Sequence, residues 1–522
     1  MKKIIKGFFP LFLLPSILLV ACKENNTPTD PTEQTTDTIS PADTTITTTD
    51  TIRITWNGTA VSVEGSHNDV SVTAENGYVT INSSVKDITY ILRGNGQGQL
   101  NIYSTNRLQL QLSNLTLICS DGPAINNQCK KSLFVVLNGT NSLTDGGTYA
   151  SSTEDRKAAF FSEGQMIFSG GGSLTVKGNY KHALASDDYI RFAQSTGALT
   201  LTAASDGIHA NDGIYFDGGT FTINAGEDGV QCDTATIEVN AGAITVTAAG
   251  DKGIVAFDTI TVNGGTIRIS SEYKCIKTKS ALIVNGGDIQ VVCNGKASSS
   301  GGPGGGGPWG GGSSNTENSS PEGIEAKGTI TINGGYVYSQ SADDAINAGD
   351  NLTINGGYVC AYSTGNDGID ANGNLYINGG LVYAIGASDP EVALDANSEE
   401  KKKLYISGGT IVALGKLESG AQLSQACYQN SSWSEQTWYS ITVGSETFAF
   451  KTPSKSTSSQ GGGGPGGGSR TTPLVVSGSS KPTVKSGVTT NGGTTIFNGM
   501  GVLNASVTGG SNVTLSTYSN NR

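Results

Sequence analysis

Basic residues are scarce in this sequence: 32 Lys and Arg stand against 44 Asp and Glu, for a formal net charge of −12. Nucleic acid is therefore not an expected ligand, because nothing supplies the basic surface that phosphates need. Histidine is scarcer still, with three in 522 residues, and these form no Ser/His/Asp constellation for nucleophilic catalysis. There is no CxxC and no Cys/His spacing of the zinc-binding kind. No apolar run after residue 21 is long enough to span a bilayer. The 3.6-residue apolar periodicity that helical repeats would show is also missing.

Glycine is abundant instead, at 73 residues, about twice the ordinary share of roughly 7%. It recurs on a pattern. An apolar residue returns at Ile125, Phe160, Leu184, Ile208, Val230, Ile254, Ile276, Ile324, Ile346, Ile369 and Leu394. Most steps are 22 to 25 residues; those of 35 to Phe160 and 48 to Ile324 read as single turns carrying a loop. The preceding residue is small, as in Ala159, Gly207, Gly253, Cys275 and Gly368. A second column is asparagine, at Asn240, Asn263, Asn285, Asn333, Asn355 and Asn378, mostly followed by Gly-Gly. Between the columns apolar residues alternate, as in Thr220-Phe221-Thr222-Ile223, the two-residue period of strands. A unit this short cannot bury its apolar face alone and must stack on copies of itself. The sequence thus predicts an all-β fold, a right-handed parallel β-helix of about 11 coils of 22–25 residues with β caps at its ends.

Residues 1–21 read as a secretory signal, with Lys2, Lys3 and Lys6 ahead of an apolar run from Phe8 to Val20. The run ends Leu19-Val20-Ala21-Cys22, which resembles the bacterial lipobox, where the cysteine becomes the lipid-modified first residue. Lys23-Glu24 is similar to the export tag of surface-exposed lipoproteins in some Gram-negative bacteria. These resemblances imply lipidation at Cys22, a lipid anchor as the sole membrane attachment, and a place on the outer membrane facing the periplasm or the surface. Residues 22–50, rich in Thr, Asp and Pro, are expected to be a disordered tether. Residues 51–110 alternate without the full repeat and read as an N-terminal β cap. The regular coils occupy 111–415, interrupted by a Gly-rich loop at 297–318 that contains Trp309. A trailing β segment follows at 416–460, then a Gly-rich linker at 461–470 and a β module at 471–522, either further coils or a cap. Beyond Cys22 seven cysteines remain. Cys119 and Cys129 are available to pair in an oxidising envelope, whereas Cys275 is expected to be buried.

Two further columns carry chemistry. Two residues before the inward apolar position stand His182, Asp206, Asp228, Lys252 (with Asp251 beside it), Lys274, Glu322, Asp344 and Asp367. One residue after it stand His209, Gln231, Val255, Lys277, Glu325, Asn347, Asp370 and Asp395. Like charges stacked roughly 5 Å apart repel by roughly 3 kcal/mol at an effective dielectric of about 20. A carboxylate stack therefore favours a cation, and calcium, bound by several carboxylate and carbonyl oxygens, suits it. Asp343, Asp344, Asp367 and Asp370 form the first candidate metal site; Asp206, Asp228 and Asp251 form the second. The plainer reading of these carboxylates is solvated Asp-Gly turn chemistry. In the strand after Gly-Gly, Tyr336, Tyr338, Tyr358, Tyr362 and Tyr383 fall on outward positions. They should form an exposed aromatic strip against which the apolar face of a sugar ring can pack, although tyrosine is also an ordinary strand residue.

Several markers occur in order along the chain: Ser120-Asp121-Gly122-Pro123-Ala124-Ile125, Gly139 to Gly146 with Tyr149, Ala158-Ala159-Phe160-Phe161-Ser162, Gly172-Ser173-Leu174-Thr175-Val176 and Ser205-Asp206-Gly207-Ile208-His209-Ala210. Over about residues 55–415 they resemble the family of carbohydrate-binding, polysaccharide-lyase-like β-helix domains of secreted bacterial proteins. The resemblance implies the same right-handed fold, calcium sites like those of pectate lyases, and binding to cellulose and acidic pectic polymers. Carried over by motif, Asp206, Asp228, Asp343, Asp344 and Asp367 are the calcium candidates. The double-acid turn is complete only at Asp343-Asp344, and Lys252 and Lys274 interrupt the column.

The sequence therefore reads as a polysaccharide-binding envelope lipoprotein rather than an enzyme. Two alternatives stay open. Calcium-dependent β-elimination of uronates needs a cation and a base at the C5 proton, and Lys274 and Lys277 lie between the two acidic stacks. An adhesin or structural spacer fits the tether and solenoid equally well.

Overall fold

The computed structural model describes residues 44–48, 50–296, 320–454 and 472–519. The signal, Cys22, most of the tether, the Gly-rich loop with Trp309 and the Gly-rich linker lie outside the described residues.

The chain winds as a right-handed parallel β-helix of about 12 turns. A typical coil has three short strands, such as Ile346–Ala348, Leu352–Ile354 and Tyr358–Ser363. Each pairs in parallel with its equivalent on the next coil, Ile346 with Ile369, Leu352 with Leu375 and Tyr358 with Leu381. The inward apolar column is in register from end to end: Ile125 pairs with Phe160, Ile276 with Ile324, and Ile369 with Leu394. The long sequence steps are thus excursions from a single turn, since both sides of each remain adjacent. These side chains are buried in one continuous apolar core, each contributing about 1.5–3 kcal/mol of transfer free energy. A one-residue slip would turn them outward, so the pattern enforces the register.

Two features of the repeat have direct structural causes. The small-residue column lies where space is taken from two sides: a Cβ on Gly323 would collide with Ser339 Oγ of its own coil and lie 2.7 Å from the Ala345 carbonyl oxygen of the next. The second glycine of each Asn-Gly-Gly turn sits in the left-handed region, as Gly357 does at φ 81°, where an L side chain is strained. The asparagines of these turns hydrogen-bond to one another along the stack. Asn263 Nδ2 donates to Asn240 Oδ1 at 2.8 Å, Asn285 to Asn263 at 2.8 Å and Asn333 to Asn285 at 2.8 Å. Asn355 and Asn378 continue the ladder at 2.9 and 3.0 Å. It starts on the Asp217 carboxylate and ends at the Ser407 hydroxyl. A side chain with both a donor and an acceptor is what such a ladder requires.

The ends differ from expectation. Parallel stacking begins well inside the segment read as a cap: Val79 pairs with Leu100 and Leu100 with Ile125, continuing the inward column. The antiparallel elements that cover the N-terminal edge are Ala60–Glu64, paired with Thr51–Gly58, and Val70–Glu75, paired with Tyr78–Ser83. At the other end Leu474–Ser477 closes the stack by pairing antiparallel with Thr410–Leu414. The trailing segment and the last module are one structure. Trp438–Val443 and Glu446–Lys451 join Thr483–Asn491, Thr494–Ile496, Gly501–Leu503 and Ser506–Asn512 in a six-stranded antiparallel sheet. Its apolar face, with Ile441, Phe448, Phe450 and Phe497, packs on the outer face of the last coils. The pairing of Cys119 with Cys129 does not form; both are buried free thiols, and Cys275 is buried as its column requires.

Candidate functional site

The tyrosines align as the alternation predicts, but the strip they form is mostly covered. In register, Tyr336 pairs with Tyr358, and Tyr338, Cys360 and Tyr383 share the next outward column. That column lies beneath the six-stranded sheet, so Tyr338 and Tyr383 are buried. The Tyr383 hydroxyl donates to the Lys451 carbonyl at 2.9 Å, and burial pushes both phenols well above their ordinary pKa. Tyr362 is half-buried beside Trp433. Tyr338 and Tyr383 are therefore corrected from ligand platform to interface with the covering sheet, whereas Tyr362 lines a cleft of about 290 Å³ with Trp433. Tyr336 and Tyr358 remain at the rim of the sheet. Their rings stack with centroids 4.8 Å apart and planes 6° from parallel, and Tyr336 is 37% exposed. A cleft of about 380 Å³ opens beside Tyr358, between Gly380 and Thr410 of the coils and Glu446 and Asn504 of the sheet. Another cleft, of about 210 Å³, runs past Tyr336 and Asp288.

The charged column has a structural use that composition alone does not reveal. Four aspartates of the column each accept the backbone N–H of the equivalent position one coil later. Asp206 Oδ1 takes Asp228 N at 3.0 Å, and Asp228 Oδ1 takes Lys252 N at 2.9 Å. Asp344 Oδ1 takes Asp367 N at 3.0 Å, and Asp367 Oδ1 takes Val392 N at 2.6 Å. One oxygen of each carboxylate is thereby committed to the turn, and the negative charge still calls for a further partner.

In the middle coils that partner is a cation of the chain itself. Lys252 Nζ bonds Asp251 and lies 3.6 Å from Asp228 Oδ1, so Asp206, Asp228 and Asp251 are not an open triple-carboxylate site. Burial still pushes the Asp228 carboxyl up to about 7, against the pull of Lys252. Lys274, only 2% exposed, bonds Glu322 and lies 3.2 Å from Glu325 Oε2, and Lys277 and Lys327 pair with the same Glu325. These lysines are buried counter-ions. Lys274 and Lys277 are not presented to a polymer on the surface, which removes the basis for assigning either as the base of β-elimination.

In the last coils no lysine intervenes. Asp344 is 5% exposed, and its Oδ2 accepts from Asn347 Nδ2 at 3.0 Å. Burial, reinforced by the charges of Asp370, Asp343 and Asp367, pushes its carboxyl up to about 9. Burial likewise pushes Asp367 up to about 7 and raises Asp370. Asn366 Nδ2 donates to Asp343 Oδ1 at 2.7 Å. Crowded buried carboxylates must bind either protons or a cation. The donor set is all oxygen, which suits calcium.

A third group was not assembled from the sequence. His182 and His209 stack with ring centroids 4.3 Å apart, and Asp206 Oδ2 lies 3.1 Å from His182 Nδ1 and 2.9 Å from His209 Nδ1. Among the described residues, this buried trio could hold a metal ion, its ligand atoms all within 4.8 Å of one another. Burial alone would raise Asp206, but the hydrogen bonds from the two imidazoles hold it well below the ordinary carboxylate range. Burial works against charge on both rings and lowers His182. It is overcome at His209, which Asp206 and Asp233 push up to about 9. The signal was present in the sequence: the two histidines stand in adjacent charged columns on successive coils.

Compared with known proteins, residues 75–368 match the model of a family described as carbohydrate-binding domain-containing protein. A solved structure, the polysaccharide lyase-like protein from C. thermocellum as a gadolinium derivative, is similar over 47% of this chain and 95% of its own, at 20% identity and a TM-score of 0.34. No curated protein matches.

Proposed function

We propose that this chain, which belongs to the family of carbohydrate-binding domain-containing proteins, binds polysaccharide along the side of its last coils. The observation that carries the reading is the parallel pair Tyr336 and Tyr358, placed at a cleft rim and not buried with Tyr338 and Tyr383. A flat double ring of this kind packs against sugar, and its phenols add hydrogen bonds. On the same coils the strands that begin at Tyr336 and Tyr358 run directly into the Asp343-Asp344 and Asn366-Asp367 turns. Seven residues separate Tyr336 from Asp343, a reach of at most roughly 25 Å. Tyr338, between the two ends, lies beneath the six-stranded sheet, so the ring pair and the acidic turns are separate contact points on the same coils. Calcium held by Asp343, Asp344, Asp367 and Asp370 would then neutralise the acidic end and leave coordination for uronate carboxylates, so the ligand class is cellulose-like or acidic pectic glycan. The lipobox-like stretch ending at Cys22 supports anchoring to the outer membrane, with the β-helix displayed on its tether.

The test is retention on insoluble cellulose and in pectate affinity gels, with calcium or with EGTA. Retention should fall on replacing Tyr336 and Tyr358 by Ala. Retention on pectate should also require calcium and weaken in Asp344→Asn combined with Asp367→Asn. Absence of retention on both polymers would overturn the proposal.

A further inference from the structure

We infer that His182, Asp206 and His209 form a binding site for a zinc-class divalent transition metal, separate from the carboxylate cluster of the last coils. The first argument is convergence. Two imidazole nitrogens and one carboxylate oxygen, from adjacent coils, face one another at 2.9 and 3.1 Å. Tetrahedral zinc, with ligands at about 2.0–2.1 Å, sets neighbouring donors about 3.3 Å apart. The two separations are close to this value, and all three donors lie within 4.8 Å of one another.

The second argument is that the trio cannot satisfy itself. His182 Nδ1 lies 3.3 Å from the Asp206 backbone N–H, which it accepts, and 3.1 Å from Asp206 Oδ2. If Nδ1 carries a proton, it opposes that N–H; if it carries a lone pair, it opposes the carboxylate oxygen. Neither form serves both neighbours. A cation placed among the three atoms turns the opposed lone pairs of Nδ1 and Oδ2 into metal bonds, with the Asp206 N–H giving up Nδ1 as its acceptor.

The third is the outer shell. His209 Nε2 lies 3.2 Å from Asp233 Oδ2, so that carboxylate fixes the ring with Nδ1 turned toward Asp206. This is the arrangement that orients and strengthens metal-bound histidine. Asp206 and Asp233 together balance a divalent charge. Calcium is the wrong ion here, since it takes six to eight oxygens and this site offers two nitrogens. The bound ion would join the strand His182–Ser186 to the Asp206 turn and the strand Ile208–Ala210, clamping two neighbouring coils.

The experiment uses the untagged protein, stripped with a chelator and titrated with cobalt(II). The expected result is a saturable visible ligand-field spectrum at about one cobalt per chain, with the intensity of a tetrahedral site. Zinc should abolish it by displacement, and excess calcium should leave it unchanged. His182→Ala and His209→Ala should each weaken binding at least tenfold, and Asp233→Asn by about 10–100-fold, while His67→Ala should have no effect. If the His182 and His209 variants do not fold, Asp233→Asn carries the test, since its side chain is 39% exposed. A folded wild-type protein without the spectrum would overturn the inference. So would a spectrum unchanged in all three variants.

Discussion

The middle and last coils use the same column of the repeat in opposite ways. From Asp206 to Glu325 the chain places its own cations among the acids: His209 beside Asp206, Lys252 beside Asp228 and Asp251, Lys274 and Lys277 beside Glu322 and Glu325. From Asp343 to Asp370 the charged members are all acids, and burial raises Asp344, Asp367 and Asp370. Both regions spend one carboxylate oxygen on the next coil's amide. They differ only in where the neutralising charge comes from. In the middle it is built in; at the end it must come from solution, as a proton or a metal. A ligand-binding acidic site is thus distinguished from a structural one by its missing lysines rather than by its aspartates.

The largest effect should come from removing a built-in cation. Lys274→Met strands the buried Glu322, while Glu325 keeps Lys277 and Lys327, and breaking a buried ion pair in this way costs about 3–5 kcal/mol. Its denaturation midpoint should fall far below that of the wild type, and a midpoint within error of it would dissolve the contrast. Next comes the cation from solution. Calcium at about a hundred times its Kd should stabilise the protein by about 2.7 kcal/mol. Asp344→Asn with Asp367→Asn should abolish that gain, because Asn keeps the acceptor for the amide and loses only the charge. Asp228→Asn should leave the gain intact. Equal loss in both variants would mean that calcium does not distinguish the regions.

The pH response should set Asp206 apart from Asp344 and Asp367 with the opposite sign, while Asp228, raised to about 7, follows the last coils. Asp344 and Asp367 have folded values of about 9 and about 7, above their unfolded ones, so the folded state holds the extra protons. Their contribution is complete in acid and is lost as pH rises through those values, at up to about 1.4 kcal/mol per pH unit for each proton. Asp206 is held below its ordinary range, so its contribution is present near neutrality and disappears in strong acid. In EGTA, unfolding followed across pH should show Asp344→Asn flattening the loss between about pH 4 and pH 9, and calcium should do the same. A loss as steep in Asp344→Asn as in the wild type would assign it elsewhere. The smallest effect should be at the rim. Removing one of the two exposed rings should weaken glycan binding by about 0.5–1.5 kcal/mol, roughly 2–12-fold in Kd, with little change in stability. Isothermal titration with soluble oligosaccharide would read this, and a Tyr338→Ala control should instead lower stability.

Much of this was legible in the sequence, for a definite reason. A stack of equivalent coils turns sequence period into spatial adjacency, so Ile276 and Ile324 could be placed side by side despite 48 intervening steps. The asparagine column was visible for the same reason. What escaped lay between columns or outside the repeat. Alternation says on which side of a strand Tyr338 and Tyr383 project but not what lies over that side, and the covering sheet is antiparallel and carries no coil repeat. Lys274 reads as an interruption of the acidic column and a candidate base, although Glu322 is the next member of that column. The stacking of unlike groups was as readable there as the stacking of like ones. Asp206 was read with its acidic neighbours, whereas its nearest partners are imidazoles on either side.

The asparagine ladder also bears on how such a molecule can change length. Every internal rung accepts from one neighbour and donates to the other in the same sense, and only Asp217 and Ser407 terminate it. Excising the chain from one asparagine to the next, such as Asn333 to Asn355, would rejoin two identical rungs with no bond left unmade. Excising half as much would orphan a donor, break the register and misplace every column beyond it. Duplication or loss during descent is thereby quantised, and related rods are expected to differ by whole coils.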